Sequence, residues 1–379
     1  MLTNSDLTEL VAFRRDLHRR PEISGEERET AAKVVRDLEG LQPSRILTGL
    51  GGHGVAAVFE GAEKGPTVLF RSELDGLPIQ EETDVAWASK MPGKGHLCGH
   101  DGHMTMVLAL GRLLARSPIK KGRAVLMFQP AEEDGSGARA VAADPAYASI
   151  APDFAFAIHN EPGRPFGYVS TRTGLINCAS QGLQITYHGK TAHAAEPEMG
   201  VSPVGAIARL VPQLEALGVG GALTDDFRLA TITHINVGEP TFGIAPADGV
   251  LNITLRAAQD AGLAEMVAAA RAMAVSEAGG MLVETADCDV FAATVNDAEA
   301  VAIAEAAMDA LGVEHGDENL PMRASEDFGV FGWGAKAAML CLGSGRDHAA
   351  LHNPDYDFPD DLIPIGVGVF ERIARDLLG

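Results

Sequence analysis

Short runs that are apolar at nearly every position constrain this chain most. Residues 55–59, 67–70, 124–128, 154–158 and 338–342 contain a single polar side chain, the hydroxyl of Thr67. A strand with one wet face alternates apolar and polar residues, so runs without alternation need cover on both sides. Between these runs, apolar residues recur at helical spacing. Leu7, Leu10, Val11, Phe13 and Leu17 do so up to Pro21, and the pattern returns over 26–38, 104–114, 138–143, 298–311 and 363–378. This alternation predicts an α/β fold, a mostly parallel sheet with helices on both faces.

The middle of the chain has a different texture. Residues 182–187 alternate like a half-exposed strand, 203–217 read as an amphipathic helix, and 229–237 and 250–256 as strands. A helix over 262–278 and a strand over 281–286 complete the order β-α-β-β-α-β, the pattern of a ferredoxin-like α+β domain. At 379 residues the chain exceeds what one hydrophobic core usually serves. The expectation is a catalytic domain of residues 1–177 and 289–379, interrupted by an inserted domain of residues 178–288.

The formal charge of −22 argues against nucleic acid and anionic membrane surfaces as partners, since both need concentrated Lys and Arg. The opening Met1-Leu2-Thr3-Asn4-Ser5-Asp6 has neither a basic nor an apolar segment, so no secretory leader is expected. Four scattered cysteines, Cys98, Cys178, Cys288 and Cys341, do not make a disulfide framework. A cytoplasmic, reduced protein is the expectation.

Chemistry-bearing residues gather where the runs end. Gly95-His96-Leu97-Cys98-Gly99-His100-Asp101-Gly102-His103 leads into the helix expected from Met104. Thiolate, imidazole and carboxylate are the donors a borderline divalent metal prefers, and the glycines let the backbone wrap them around one point. Glu132 and Glu133 follow the run 124–128, and His159 follows the run 154–158. In α/β proteins the carboxyl ends of parallel strands open into the crevice that holds the site. Leu351-His352-Asn353-Pro354 adds a further imidazole, and the loop from Ser72 to Pro78 carries Glu73 and Asp75, acids able to orient ligands from behind. This many donors suffices for two divalent ions, which suit hydrolysis because they acidify water and polarise a carbonyl.

Taken together and in order, these segments resemble the amidohydrolase branch of the zinc aminoacylase and carboxypeptidase family. The match includes Asp75-Gly76-Leu77-Pro78-Ile79-Gln80-Glu81, the Cys98 to His103 core, Phe128-Gln129-Pro130-Ala131-Glu132-Glu133 and Gly189-Lys190-Thr191-Ala192-His193-Ala194-Ala195. It continues through Ala324-Ser325-Glu326-Asp327-Phe328 and the Leu351 motif with Asp357-Phe358 behind it. The resemblance implies metal ligation by Cys98, His100, Glu133, His159 and His352, with Cys98 as a thiolate able to bridge two ions. It implies Glu132 as general base, His193 as donor to the oxyanion, and Asp75 as support of the metal shell. Two divalent ions are implied as cofactors, zinc first, with manganese, cobalt or nickel also compatible.

The resemblance further implies cleavage of the amide bond of a small N-acyl amino acid. It makes the inserted domain a lid and a homodimer surface, and hinges are expected near Asn177 and Asp289. Two positions depart from the pattern. Gly243, in Phe242-Gly243-Ile244, stands where an Asn usually helps hold the substrate, and Glu73 stands for the commoner Asp. Arg256 remains as a substrate-binding cation able to meet a carboxylate. The rival readings are a dipeptidase, an N-carbamoyl hydrolase, and a metal-stabilised binding protein without turnover. Glu132 speaks against the last.

Overall fold

A computed structural model describes residues 2–379. In chain order, helices α1 (Asn4–His18) and α2 (Arg28–Glu39) precede strands β1 (Arg45–Leu50), β2 (Gly54–Glu60) and β3 (Glu63–Glu73). Then come α3 (His100–Arg116), β4 (Lys121–Gln129), α4 (Gly137–Ala143), β5 (Phe154–Pro162), β6 (Val169–Ser170) and β7 (Gly174–Asn177). The middle holds β8 (Ala179–His188), β9 (Ala192–His193), α5 (Val204–Glu215), β10 (Arg228–Val237), β11 (Ile244–Ala245), β12 (Asp248–Ala257), α6 (Asp260–Ser276) and β13 (Leu282–Phe291). The chain closes with β14 (Thr294–Asn296), α7 (Ala298–Leu311), β15 (His315–Gly316), β16 (Lys336–Gly345) and α8 (Ile363–Leu378).

The chain divides into two compact units. The first runs to Ile176 and resumes over Thr294–Leu320 and Glu326–Gly379, and the second comprises Asn177–Ala293 with Pro321–Ser325. The first unit is built on an eight-stranded sheet of order β1-β2-β4-β3-β5-β16-β6-β15. Its central strands β4, β3, β5 and β16 run parallel, and β1 and β2 add an antiparallel edge. The apolar runs are these central strands, and Val68, Leu69, Phe70, Val125, Leu126 and Phe156 are fully buried. Helix α3 packs against α1, α8 and β3, with nearly its whole surface buried.

One helix boundary differs from the sequence reading. The helix expected from Met104 starts at His100, after Gly99 at φ +91°. Its first turn carries His100, Asp101 and His103, all buried and polar. Apolar periodicity marks a helix only where its buried face is apolar, and here partners elsewhere in the fold replace that face. The edge strand β1 and the two-residue strands carry no such pattern either.

The second unit has its own four-stranded antiparallel sheet, ordered β10-β12-β8-β13. Counted along the chain, that is the ferredoxin-like order. Leu183, Ile185 and Tyr187 of β8 and Leu251, Ile253 and Leu255 of β12 form its buried face, beneath α5 and α6. The buried Tyr187 hydroxyl donates to the Ala274 carbonyl of α6 at 2.8 Å. Strand β13 extends past its expected end, and its register on β8 shifts between Cys288 and Phe291, where Asp289 has φ +47°. No helix among the described residues is long and apolar enough to cross a membrane.

Candidate metal centre

Three parallel strands bring their carboxyl ends to one edge of the first sheet. Glu73, at the end of β3, is level with Gln129 at the end of β4, and β5 lies on the far side of β3. The loop after β3 carries Asp75, the loop after β4 carries Glu132 and Glu133, and β5 presents His159. The loop ahead of α3 adds Cys98, and the first residue of α3 is His100. Cys98 Sγ lies 3.4 Å from His159 Nε2. His100 Nε2 is 3.8 Å from Glu133 and 4.0 Å from Glu132. His352 Nε2 stands 3.5 Å from the other Glu133 oxygen. Ligand atoms of Cys98, His100 and His159, of Cys98, Glu133 and His352, and of His100, Glu132 and Glu133 each fall within 4.8 Å of one another.

The imidazole protons point away from this cluster. His100 Nδ1 donates to the Asp75 carbonyl at 2.9 Å, and His159 Nδ1 donates to the Asn160 carbonyl at 2.7 Å. Each ring thereby turns Nε2 toward the cluster, the arrangement by which backbone carbonyls fix the nitrogen that ligates. Asp75 does more than accept from His100. Its Oδ2 takes hydrogen bonds from the Ser24 hydroxyl at 2.8 Å and the Glu133 backbone at 3.0 Å.

The electrostatics are those of a place with excess negative charge. Burial, then Glu133 and Glu132, push the Cys98 thiol well up. Burial raises Glu133 to about 7, and burial with Glu326 and Glu133 raises Glu132 well above the carboxylate range. Burial disfavours charge on His100, but its bond to Asp75 and the charges of Glu73 and Glu133 outweigh that and raise it to about 10. Burial, reinforced by His103, holds His159 well down and neutral. A cation favours the ionised forms of Cys98, Glu132 and Glu133 together and takes the place of the extra proton on His100. His100 Nε2, Glu133 Oε1 and Asp75 Oδ1 are also buried without a hydrogen-bond partner, and such atoms are rare in native folds unless something else satisfies them. Soft sulfur, imidazole and carboxylate in this arrangement fit divalent metal ions.

The model of peptidase family M20/M25/M40 matches residues 69–376. The chain belongs to this family. Over 97% of its length it is 29% identical to IAA-amino acid hydrolase ILR1-like 5 of Arabidopsis thaliana, covering 86% of that protein. It is 32% identical to N-acetylcysteine deacetylase of Bacillus subtilis over 66% of each chain. A solved structure described as a dinuclear metal binding peptidase from M20 family, from Bacillus subtilis, superposes with a TM-score of 0.80 at 26% identity, covering 100% of this chain and 99% of that one.

Not every histidine of this M20 chain's cluster is free to ligate. His103 Nδ1 is 2.7 Å from Glu73, and its Nε2 contacts both the Asn160 side chain and backbone. His96 is buried with neither nitrogen partnered, and burial pushes it down to about 4, a neutral ring. Glu73, the longer acid, meets Arg71 and His103 together.

The second unit carries His193 and Arg256. Ala195 N–H donates to His193 Nδ1 at 3.0 Å, which leaves the ring proton of the neutral form on Nε2. Within this unit the two residues are far apart. His193 pairs with Ile244, just ahead of β12, whereas Arg256 lies eight residues beyond Asp248 on that strand, about 26 Å at strand rise. Arg256 donates to the Arg323 carbonyl at 2.9 Å and to Ser325 at 2.6 Å, and it meets no carboxylate among the described residues. A side chain at Gly243 would meet open space, so packing does not demand the glycine.

Sequence reasoning assigned no role to the buried network behind Glu132. Arg71 meets Glu326 at 2.9 Å and Asp327 at 2.7 Å, while Gln129 donates to both Asp327 oxygens. Glu326 and Asp327 belong to a motif that carried the resemblance, but nothing in their spacing shows that they pack against the loop after β4.

Proposed function

We propose that this protein is a metal-dependent amidohydrolase that cleaves the amide bond of a small N-acyl amino acid. The observation that carries the reading is the convergence of Cys98, His100, His159, Glu133 and His352 on one edge, with the protons of His100 and His159 parked on outward carbonyls. Two divalent ions, when bound, polarise the scissile carbonyl and make water acidic enough to lose a proton near neutral pH. Cys98, His100, Glu133, His159 and His352 would hold them, with Asp75 fixing the His100 ring and the Glu133 backbone.

Glu132 would take a proton from the attacking water as its oxygen bonds the carbonyl carbon. It would return that proton to the amide nitrogen as the carbon–nitrogen bond breaks, giving a carboxylic acid and an amine. His193 Nε2–H would donate to the oxygen that gains charge at the tetrahedral stage, where such a bond is strongest. Arg256 suits the carboxylate of the amino-acid half. The names of the Arabidopsis hydrolase and the Bacillus deacetylase agree with this substrate class.

We also propose a homodimer through the second unit. His193 and Arg256 lie too far apart within one copy for a small substrate to touch both, and a second copy supplying one of them reconciles the two roles. The long, largely exposed edge strand β10 is a surface on which such copies can pair.

The test is metal content by elemental analysis, paired with hydrolysis of N-acetyl- and N-benzoyl-amino acids before and after chelation. About two ions per chain with chelator-sensitive release of amino acid is expected. No metal after reconstitution, or turnover that survives its complete removal, overturns the reading. For the dimer, mixing inactive H193A and R256A chains should restore activity, and an unchanging monomer by sedimentation refutes it.

A further inference from the structure

The loop that carries Glu132 and Glu133 is held in a costly shape by a residue outside the proposed donor set. Ala131 sits at φ +50°, in the left-handed region that side chains with a Cβ rarely adopt. Two hydrogen bonds fix it there. Its carbonyl accepts from Gly137 N–H at 2.9 Å. Its N–H donates to Glu27 Oε1 at 2.7 Å, an oxygen of a carboxylate with no solvent exposure more than a hundred residues earlier in the chain.

Glu27 is not isolated. It belongs to the short segment between α1 and α2, and that segment also grips the loop after β3. Ile23 pairs with Gly76, Glu22 accepts from Gly76 N–H at 2.8 Å, and Ser24 donates to Asp75. Asp75 in turn accepts from Glu133 N–H. One segment thus holds both loops, through Ser24 and Asp75 on one side and through Glu27 and Ala131 on the other.

We infer that Glu27 is a positioning residue: its carboxylate holds Ala131 in the left-handed turn that aims Glu132 at the metal edge, while Asp75 holds the backbone of Glu133. This rests on the proposed role of Glu132. The chemistry required is a buried acceptor at Oε1, so a carboxamide oxygen at the same point serves, and a side chain without an oxygen does not. Glycine adopts positive φ without penalty, so Ala131→Gly weakens the need for the brace.

The experiment compares Glu27→Ala, Glu27→Gln, Glu27→Met and the double variant Glu27→Ala with Ala131→Gly. The assay uses the N-acyl amino acid hydrolysed fastest by the unaltered protein. E27A should lower kcat about 100-fold with KM and metal content kept, the cost of misplacing a catalytic group by about 1 Å. E27Q should recover most of the rate, and A131G should recover part of the E27A loss, which a role in stability alone would not produce. Hydrogen exchange on the metal-free protein supplies an independent reading: protection of residues 131–133 should fall in E27A and persist in E27Q. E27M fills the same volume without a good acceptor; it should show the same loss of rate and protection, and it supplies the reading where E27A does not fold. Unchanged kcat and unchanged protection in both E27A and E27M overturn the inference, as does a loss that follows metal content and is untouched by A131G. E132Q, run in parallel, separates the two claims. Full turnover in E132Q breaks the reading of Glu132, whereas an inactive E132Q beside a fully active E27A breaks only the brace.

Discussion

His100 and Asp101 are neighbours in the first turn of α3, yet they serve two unlike clusters. His100 faces the metal edge, where its own Nε2, Glu133 Oε1 and Asp75 Oδ1 are buried and unpartnered. Asp101 faces Arg14 at 3.2 Å and His18 at 2.9 Å, and its other oxygen accepts Gly102 N–H at 3.0 Å. Around it, Arg14 also meets Asp357 and Asp360, and His18 meets Glu81. Both clusters are buried and densely charged. The second is nearly closed on itself, with Arg14 Nη2 its one unpartnered side-chain atom, whereas the first is short of positive charge and of partners. Charge density alone does not mark a site; unmet demand does, because each unsatisfied buried polar atom costs free energy that a ligand can recover.

The largest effect that tests this contrast is Glu132→Gln. Turnover should fall by about 100- to 10,000-fold, with metal retained and thermal stability unchanged or higher, since one buried charge is removed from a place with too many. Loss of metal together with activity would assign Glu132 to ligation instead. Next is Cys98→Ala, which should lower metal stoichiometry by elemental analysis, while Cys178→Ala leaves it unchanged. Equal metal content in the two variants removes Cys98 from the donor set.

The closed cluster should respond in the opposite way. Arg14→Met leaves Asp101, Asp357 and Asp360 without the guanidinium they share and should cost roughly 3–5 kcal/mol in denaturant unfolding, as for other broken buried pairs. Metal stoichiometry of the folded fraction should not change, and a metal deficit there would join the clusters that the structure separates. The smallest effect is one of pH. Burial lowers His18, but Asp101 and Glu81 outweigh it and raise the ring from its ordinary 6.5 to about 9. A raised folded value means stability fully present below about 6.5 and lost as pH rises through about 9, on the order of 3 kcal/mol. His18→Gln should flatten the stability profile across that window. A profile as steep as before assigns the slope to another group.

Much of the architecture could be read from the chain because it rests on local rules. Short unbroken apolar runs set between helical stretches fit a doubly covered sheet, and the β-α-β-β-α-β order leaves few ways to close a small domain. The donors could be read for a related reason. Cys98 and His100 are near in sequence, Glu132 and Glu133 follow a strand, and strand ends are where such sheets expose side chains.

Other features were settled only by tertiary structure, because they depend on contacts between residues far apart in the chain. That α3 begins at His100 depends on partners for its polar first turn. That His100 presents a free nitrogen to the metal edge and His103 does not depends on the Asp75 carbonyl accepting the Nδ1–H of one ring while Glu73 and Asn160 occupy both nitrogens of the other. The grip of Glu27 on Ala131 lies in no motif that spacing would reveal. Sequence determined which residues bear chemistry and which strands carry them, since periodicity and composition are written locally. The fold alone decided which of those atoms are already satisfied, because a buried polar group finds its partner through space and not along the chain.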